Sequence, residues 1–171
     1  MTKHNESRAC FDQGMAEFVA GNLDASIAAL TDATRHDPEF TLAFLSRGAA
    51  HLKLGQTAAA LADFNHVIEL NPKHAKAFHL RGLAHEADGD HAKALEDFDR
   101  ALALDPEYGA AYYSRASLHT RLGQEEAAAE DIRMVTHLTH VQLESFNNEN
   151  NVWHSRQLSL EASGAADVFD R

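Results

Sequence analysis

The chain repeats itself every 34 residues. Pro38, Pro72 and Pro106 keep that spacing, and so do Gly21, Gly55, Gly89 and Gly123. The stretch 73–106, KHAKAFHLRGLAHEADGDHAKALEDFDRALALDP, returns with edits on both sides of itself. A fixed period of roughly 20–50 residues marks a stacked-repeat protein, in which each unit buries its apolar face only against its neighbours. Inside each unit the small residues Gly14, Gly48, Gly82 and Ala116 recur in step with the larger Leu30, Phe64, Phe98 and Ile132. The pattern predicts helix, turn, helix, with glycine taking the left-handed turn position that a Cβ penalises. Asp37-Pro38-Glu39, Asn71-Pro72-Lys73 and Asp105-Pro106-Glu107 announce the following helix, the Asp or Asn as cap and the proline at the first helical position. Eight helices of about 12–16 residues follow from this spacing.

These residues resemble the tetratricopeptide repeat. The large residue of the family's first helix is matched by Phe44, Phe78 and Tyr112, with Cys10 as a weaker copy. Its small positions are matched by Ser26, Ala60, Ala94 and Ala128, and again by Ala33, Val67, Ala101 and Val135. The fourth copy departs where His140 replaces the closing proline. The resemblance spans roughly residues 5–140 and implies an all-α fold: a right-handed superhelical solenoid of antiparallel helix pairs. The expected division is a polar end at 1–6 and four repeats at 7–40, 41–74, 75–108 and 109–140. A capping helix or pair of helices follows at 141–162, and a flexible tail at 163–171.

Leu143, Phe146, Trp153 and Leu160 carry the apolar stripe expected of that cap. Asparagine is a poor helix former, so the run Asn147-Asn148-Glu149-Asn150-Asn151 leaves one continuous helix and two short ones as open alternatives.

Charge limits the partners. The formal net charge is −11, from 26 acidic residues against 15 Lys and Arg. That balance opposes binding to phosphate backbones, so no nucleic-acid partner is expected. No run of the chain reaches the 18 or so apolar residues of a membrane span. The opening MTKHNESRAC has no apolar segment of a secretory signal, and Cys10 is the single cysteine. A cytoplasmic protein is the expectation.

Two further sets repeat in phase. Arg47, Arg81 and Arg115 each stand 16 residues before Asp63, Asp97 and Asp131, which predicts three structural ion pairs inside antiparallel helix pairs. Exposed pairs of this kind contribute only about 0–1 kcal/mol each. His51, His85 and His119 are one repeat apart, too far to share a metal whose ligands must stand within about 2.1 Å. They occupy the place where the resembled family carries tyrosine, which implies packing with one polar tip. His137, His140 and Glu144 have helix-compatible spacing, but nothing beyond it points to a metal. No metal and no cofactor is expected.

The resemblance further implies that the first helix of each repeat lines a concave face. In register, that face receives Arg8, Phe11, Asp12, Met15 and Phe18, then Leu42, Leu45, Ala49, Leu52 and Lys53. Lys76, His79, Leu83 and Glu86 follow, and then Tyr113, Ser117, Thr120 and Arg121. If the cap keeps the register, Asn147, Asn148 and Asn151 join them. An apolar end grading into a polar, partly basic stretch predicts a groove for an apolar peptide or amphipathic helix. Some members of the family clamp the C-terminal carboxylate of chaperones with Lys, Asn and Arg. Here those places hold Phe11, Met15, Ser46, Lys76 and Leu80, and only Lys76 fits.

The chain offers no glycine-rich phosphate loop and no nucleophile with a recognisable base, so it is not read as an enzyme. A non-catalytic adaptor is the first reading. A scaffold that self-associates into homo-oligomers through its end repeats, cap or tail is the alternative, and Val168 and Phe169 of that tail are flanked by acids.

Overall fold

In a computed structural model, backbone is described for residues 3–162 and side chains for 4–147. Among these residues the chain is all helix: α1 (Lys3–Ala20), α2 (Leu23–His36), α3 (Thr41–Lys53), α4 (Thr57–Leu70), α5 (Ala75–Ala87), α6 (His91–Leu104), α7 (Gly109–Arg121) and α8 (Glu125–Ala162). Each odd helix packs on the even helix that follows it, and the pairs stack in chain order. α1, α3, α5 and α7 also touch one another in succession, whereas the even helices share no such contacts among the described residues. The odd helices therefore line the inside of the bend and the even ones splay along the outside, giving a right-handed superhelical solenoid.

Turn chemistry explains the pairing. Gly21, Gly55, Gly89 and Gly123 all have positive φ, between +72° and +84°. That reversal returns the chain antiparallel within two or three residues. The Asp-Pro and Asn-Pro turns differ from the expectation. Pro38 lies in a turn ahead of α3, which begins only at Thr41. Asp37 instead ends α2, its N–H donating to the Ala33 carbonyl, while its Oδ1 accepts from the Glu39 N–H at 3.0 Å. Asn71 and Asp105 do the same for Lys73 and Glu107, at 3.0 and 3.1 Å. A short carboxylate or amide that caps its own turn two residues on leaves proline to stiffen the connection.

Close packing of the pairs depends on the small position of the first helix. A Cβ on Gly48 would stand 2.5 Å from Phe64 Cε1, and one on Gly82 2.6 Å from Phe98 Cε1. Phe64, Phe98 and Leu30 are fully buried. Phe64 shares a core with Phe44, Leu45, Ala77 and Ala84, which joins the second repeat to the third. Phe98 packs with Leu118 of the next repeat.

The final helix departs from the expected division. α8 is one helix of 38 residues that begins as the second helix of repeat four and runs unbroken through Asn147–Asn151. No ninth helix folds back among the described residues, and none of them covers the outer side of the terminal repeat. Ile132, in register with the fully buried Phe98, is 55% exposed. Leu143 and Phe146 are exposed as well. The side chains of Trp153 and Leu160, and the tail 163–171, lie outside the described residues.

Candidate functional site

The concave side carries a pocket of about 290 Å³ where α1, α3 and α5 converge. Met15 and Phe18 come from α1, Leu42, Leu45, Ser46 and Ala49 from α3, and Lys76 and Leu80 from α5. Helical spacing makes this lining. Residues three and four apart share one face, so Leu42, Leu45, Ser46 and Ala49 all face the concavity from one helix. Leu42 stands exposed at the mouth, while Leu45 is buried and forms the floor. The wall opposite α5 is aromatic, and the Lys53 ammonium lies 4.6 Å from the Phe18 ring centroid. Lys76 lines the other side. Among the described residues the lysine that pairs with a carboxylate is Lys93, remote from here on α6. The pocket is therefore an apolar hollow with two cations at its edges, on a chain whose total charge is −11.

The structure brings six of the groove residues expected from sequence into this pocket: Met15, Phe18, Leu42, Leu45, Ala49 and Lys76. Ser46 and Leu80 line it too. Sequence reasoning finds these two only as chaperone-clamp positions and does not count them as groove. The available signal was their spacing: Ser46 stands four residues after Leu42 and Leu80 four after Lys76, on the same helix faces. The remaining residues lie elsewhere. Phe11 is half-buried with its ring centroid 5.0 Å from that of Phe40, because the α2–α3 turn folds over it. Leu52 packs partly buried against the core around Phe64, and Leu83 against that around Phe98. Tyr113 and Arg121 line a separate hollow between α7 and α8, with Ile132. Arg121 also pairs with Glu86. Asn147 is exposed on α8, and the Asn148 and Asn151 side chains are outside the described residues.

His79 corrects the register argument most clearly. Register places it on the groove surface, but it is buried, with Nδ1 3.0 Å from Tyr108 Oη and Nε2 2.9 Å from Ser114 Oγ. Leu45, His79 and Tyr113 occupy one register position. The following repeat covers the first two, while Tyr113 has no following repeat among the described residues and is 70% exposed. Burial, helped by the Lys76 charge, lowers the His79 pKa from 6.5 to about 4. Its folded pKa thus lies below its unfolded one, so the unfolded chain binds the extra proton between those values. Stability is expected to be intact above pH 6.5 and to fall as the pH drops toward 4. His79→Leu, which installs the side chain of copy two, should flatten that slope in thermal melts at stepped pH; an unchanged slope would assign it to other groups.

The arginines make more contacts than spacing alone suggests. Arg47, Arg81 and Arg115 each grip their aspartate with two nitrogens, at 2.9 and 2.6 Å for Asp63, 2.9 and 2.7 Å for Asp97, and 2.9 and 2.6 Å for Asp131. The three aspartates are buried, not exposed. Each guanidinium also reaches back to the preceding repeat: Arg47 to Thr31 and Thr34 at 3.2 and 2.9 Å, Arg81 to Asn65 at 2.8 Å, Arg115 to Asp99 at 2.5 Å. Thr31, Asn65 and Asp99 stand 16 residues before their arginines, a second period of the same length on the other side of each arginine. Hydrogen bonding to Asp131 holds the Arg115 pKa above its ordinary value against the opposing effect of burial. Bidentate geometry fixes the angle within a pair, and the backward bond fixes the angle between pairs.

The repeated histidines keep their tips polar. His51 Nδ1 lies 2.6 Å from Gln56 Oε1, His119 Nδ1 2.5 Å from Gln124 Oε1, and His85 Nε2 3.8 Å from Asp97. His140 and Glu144 approach to 3.2 Å on the exposed side of α8. Among the described residues no three His, Cys, Asp or Glu side chains are grouped to hold a metal ion. No helix among them is long and apolar enough to cross a membrane.

Helix pairs stacked in chain order around a concave face define a helical-repeat solenoid. The profile of the tetratricopeptide repeat matches residues 11–75, 45–108 and 79–136, and the chain belongs to that family. Among solved structures it is similar to MamA (residues 41 to the end) from Desulfovibrio magneticus RS-1, with 26% identity over 81% of this chain and 78% of that one, at a TM-score of 0.72. It is also similar to the first such domain of Spaghetti (RPAP3) bound to the HSP90 peptide SRMEEVD, with 26% identity over 70% and 95% of the two chains and a TM-score of 0.66. TTC0263, a thermophilic protein of Thermus thermophilus, shares the fold at 19% identity over 77% and 74%, with a TM-score of 0.71. No curated protein matches the chain.

Proposed function

We propose that the chain is a non-catalytic adaptor that holds an apolar or amphipathic segment of a partner protein in its concave groove. The observation that carries this reading is the pocket itself: Met15, Phe18, Leu42, Leu45 and Leu80 converge from three packed helices. A preformed apolar hollow with a few polar groups at its edge binds by excluding water from the ligand's side chains. The domain of RPAP3, similar to this chain, is bound to a peptide, which supports peptide binding here. The chaperone-clamp positions of this chain are filled by Phe11, Met15, Ser46 and Leu80 beside a single cation, Lys76. An apolar side chain, rather than a carboxylate, is the group this pocket suits.

Leu42→Glu tests it. Leu42 is 48% exposed at the pocket mouth, so the fold should survive the change. Peptides selected on the wild-type chain from a random display library should bind the variant at least about tenfold more weakly by fluorescence anisotropy, or about 1.4 kcal/mol. Undiminished binding would move the interaction off this face.

The second reading, a self-associating scaffold, is favoured by one observation. Tyr113, Ile132, Leu143 and Phe146 leave the terminal repeat with an exposed apolar surface.

A further inference from the structure

We infer that the occupant of the groove is the segment Asp167-Val168-Phe169-Asp170 of a second copy of this chain. The inference rests on the groove reading above and names its ligand. Two apolar side chains flanked on both sides by carboxylates are the complement of an apolar hollow flanked by Lys53 and Lys76. The hollow at Tyr113 and Ile132 matches less well, because its cation, Arg121, is already paired with Glu86. Val168 and Phe169 would bury their side chains against Met15, Phe18 and Leu45, while Asp167 and Asp170 face the two ammonium groups.

Helix length assigns the segment to another copy. The Cβ position of Gly109, the first residue of α7, lies 4.0 Å from Leu138 Cδ1, so α8 leaves the helix layer at that level. Residues 139–147 are all exposed, as expected of a helix that has left its neighbours. From 139 to Ala162 the helix adds 162 − 138 = 24 residues, or about 36 Å at 1.5 Å per residue. From Ala162 to Phe169 is 169 − 162 = 7 residues, which span about 24 Å at full extension. The segment is too short to retrace its own helix. The same reach carries it well outside its own surface, where a second copy's groove is accessible. Tail into groove is a heterologous contact, and it closes only when two or more copies exchange tails.

Sedimentation velocity on the full chain over a wide dilution series, paired with anisotropy of a fluorescein-labelled peptide of residues 163–171, tests this. Mass should rise with concentration, and the association should weaken with added salt as the carboxylate–ammonium attraction is screened. Phe169→Asp should abolish the association yet leave the groove able to take up the labelled peptide. Leu42→Glu should lose both, with unchanged circular dichroism in each variant. Peptide uptake by a chain that stays monomeric at every concentration would show that the segment does not join copies, and would overturn the proposal. So would association that survives both substitutions, which would locate the contact at the exposed terminal repeat. If the peptide fails to bind while library-selected peptides still distinguish the wild type from Leu42→Glu, the tail is refuted and the groove reading stands. If neither distinguishes them, both fall.

Discussion

Arg81→Ala is expected to lower the stability of the chain by about 3–5 kcal/mol, the cost of leaving a buried charge without its partner. Asp97 is 5% exposed and receives two hydrogen bonds from Arg81. After truncation only the His85 imidazole stands near it, at 3.8 Å, and Asn65 on the preceding repeat loses its donor as well. The thermal midpoint, followed by circular dichroism, should fall by about 10 °C for a chain of this size. Removing both charges separates the penalty from the pair's own contribution. Arg81→Leu with Asp97→Leu should recover most of the loss, since apolar groups of similar volume avoid the desolvation of an isolated carboxylate. A double variant no better than Arg81→Ala would show that the pair itself, with its tie to Asn65, contributes more than the isolated carboxylate costs.

These ion pairs also show where the chain can be read from its sequence and where it cannot. Whatever lies inside one repeat, or between repeats that both have neighbours, follows the period: the helix pairs, the glycine turns, the Arg–Asp distance of 16 residues. Such contacts depend on local spacing alone. Burial does not. Leu45, His79 and Tyr113 share a register position, and only the presence of a following repeat decides which is core and which is surface. For this reason His79 is buried where register expects it on the groove surface, whereas Met15, Leu42 and Lys76 line the hollow. The long final helix is a different case. Asparagine disfavours helix by only about 0.7 kcal/mol per residue or less, and between Gln124 and Ser163 there is neither glycine nor proline to stop it. Weak local preference, without a breaker, does not end a helix that is already nucleated against α7.

Phe98→Ala is the second large expected effect, about 3–5 kcal/mol. The ring is fully buried between α5 and α7, among Gly82 and Leu83 of the one and Leu118 of the other. Its removal would open a cavity at the joint between the third and fourth repeats. In a solenoid that joint holds the terminal unit by nearest-neighbour contacts alone, so amide exchange should rise first in α7 and the start of α8. The fit between ring and glycine can be tested from the opposite side. A methyl group at Gly82 would stand 2.6 Å from Phe98 Cε1 and 3.2 Å from the Ala94 carbonyl, so Gly82→Ala should cost about 1–3 kcal/mol through overpacking. Copy four already pairs Ala116 with Ile132 at these two positions. Gly82→Ala combined with Phe98→Ile should therefore be less damaging than the sum of the two single changes, by a coupling of about 1 kcal/mol in chemical denaturation. Strict additivity would mean that the glycine is needed for the approach of the helix backbones rather than for the ring that lies on it.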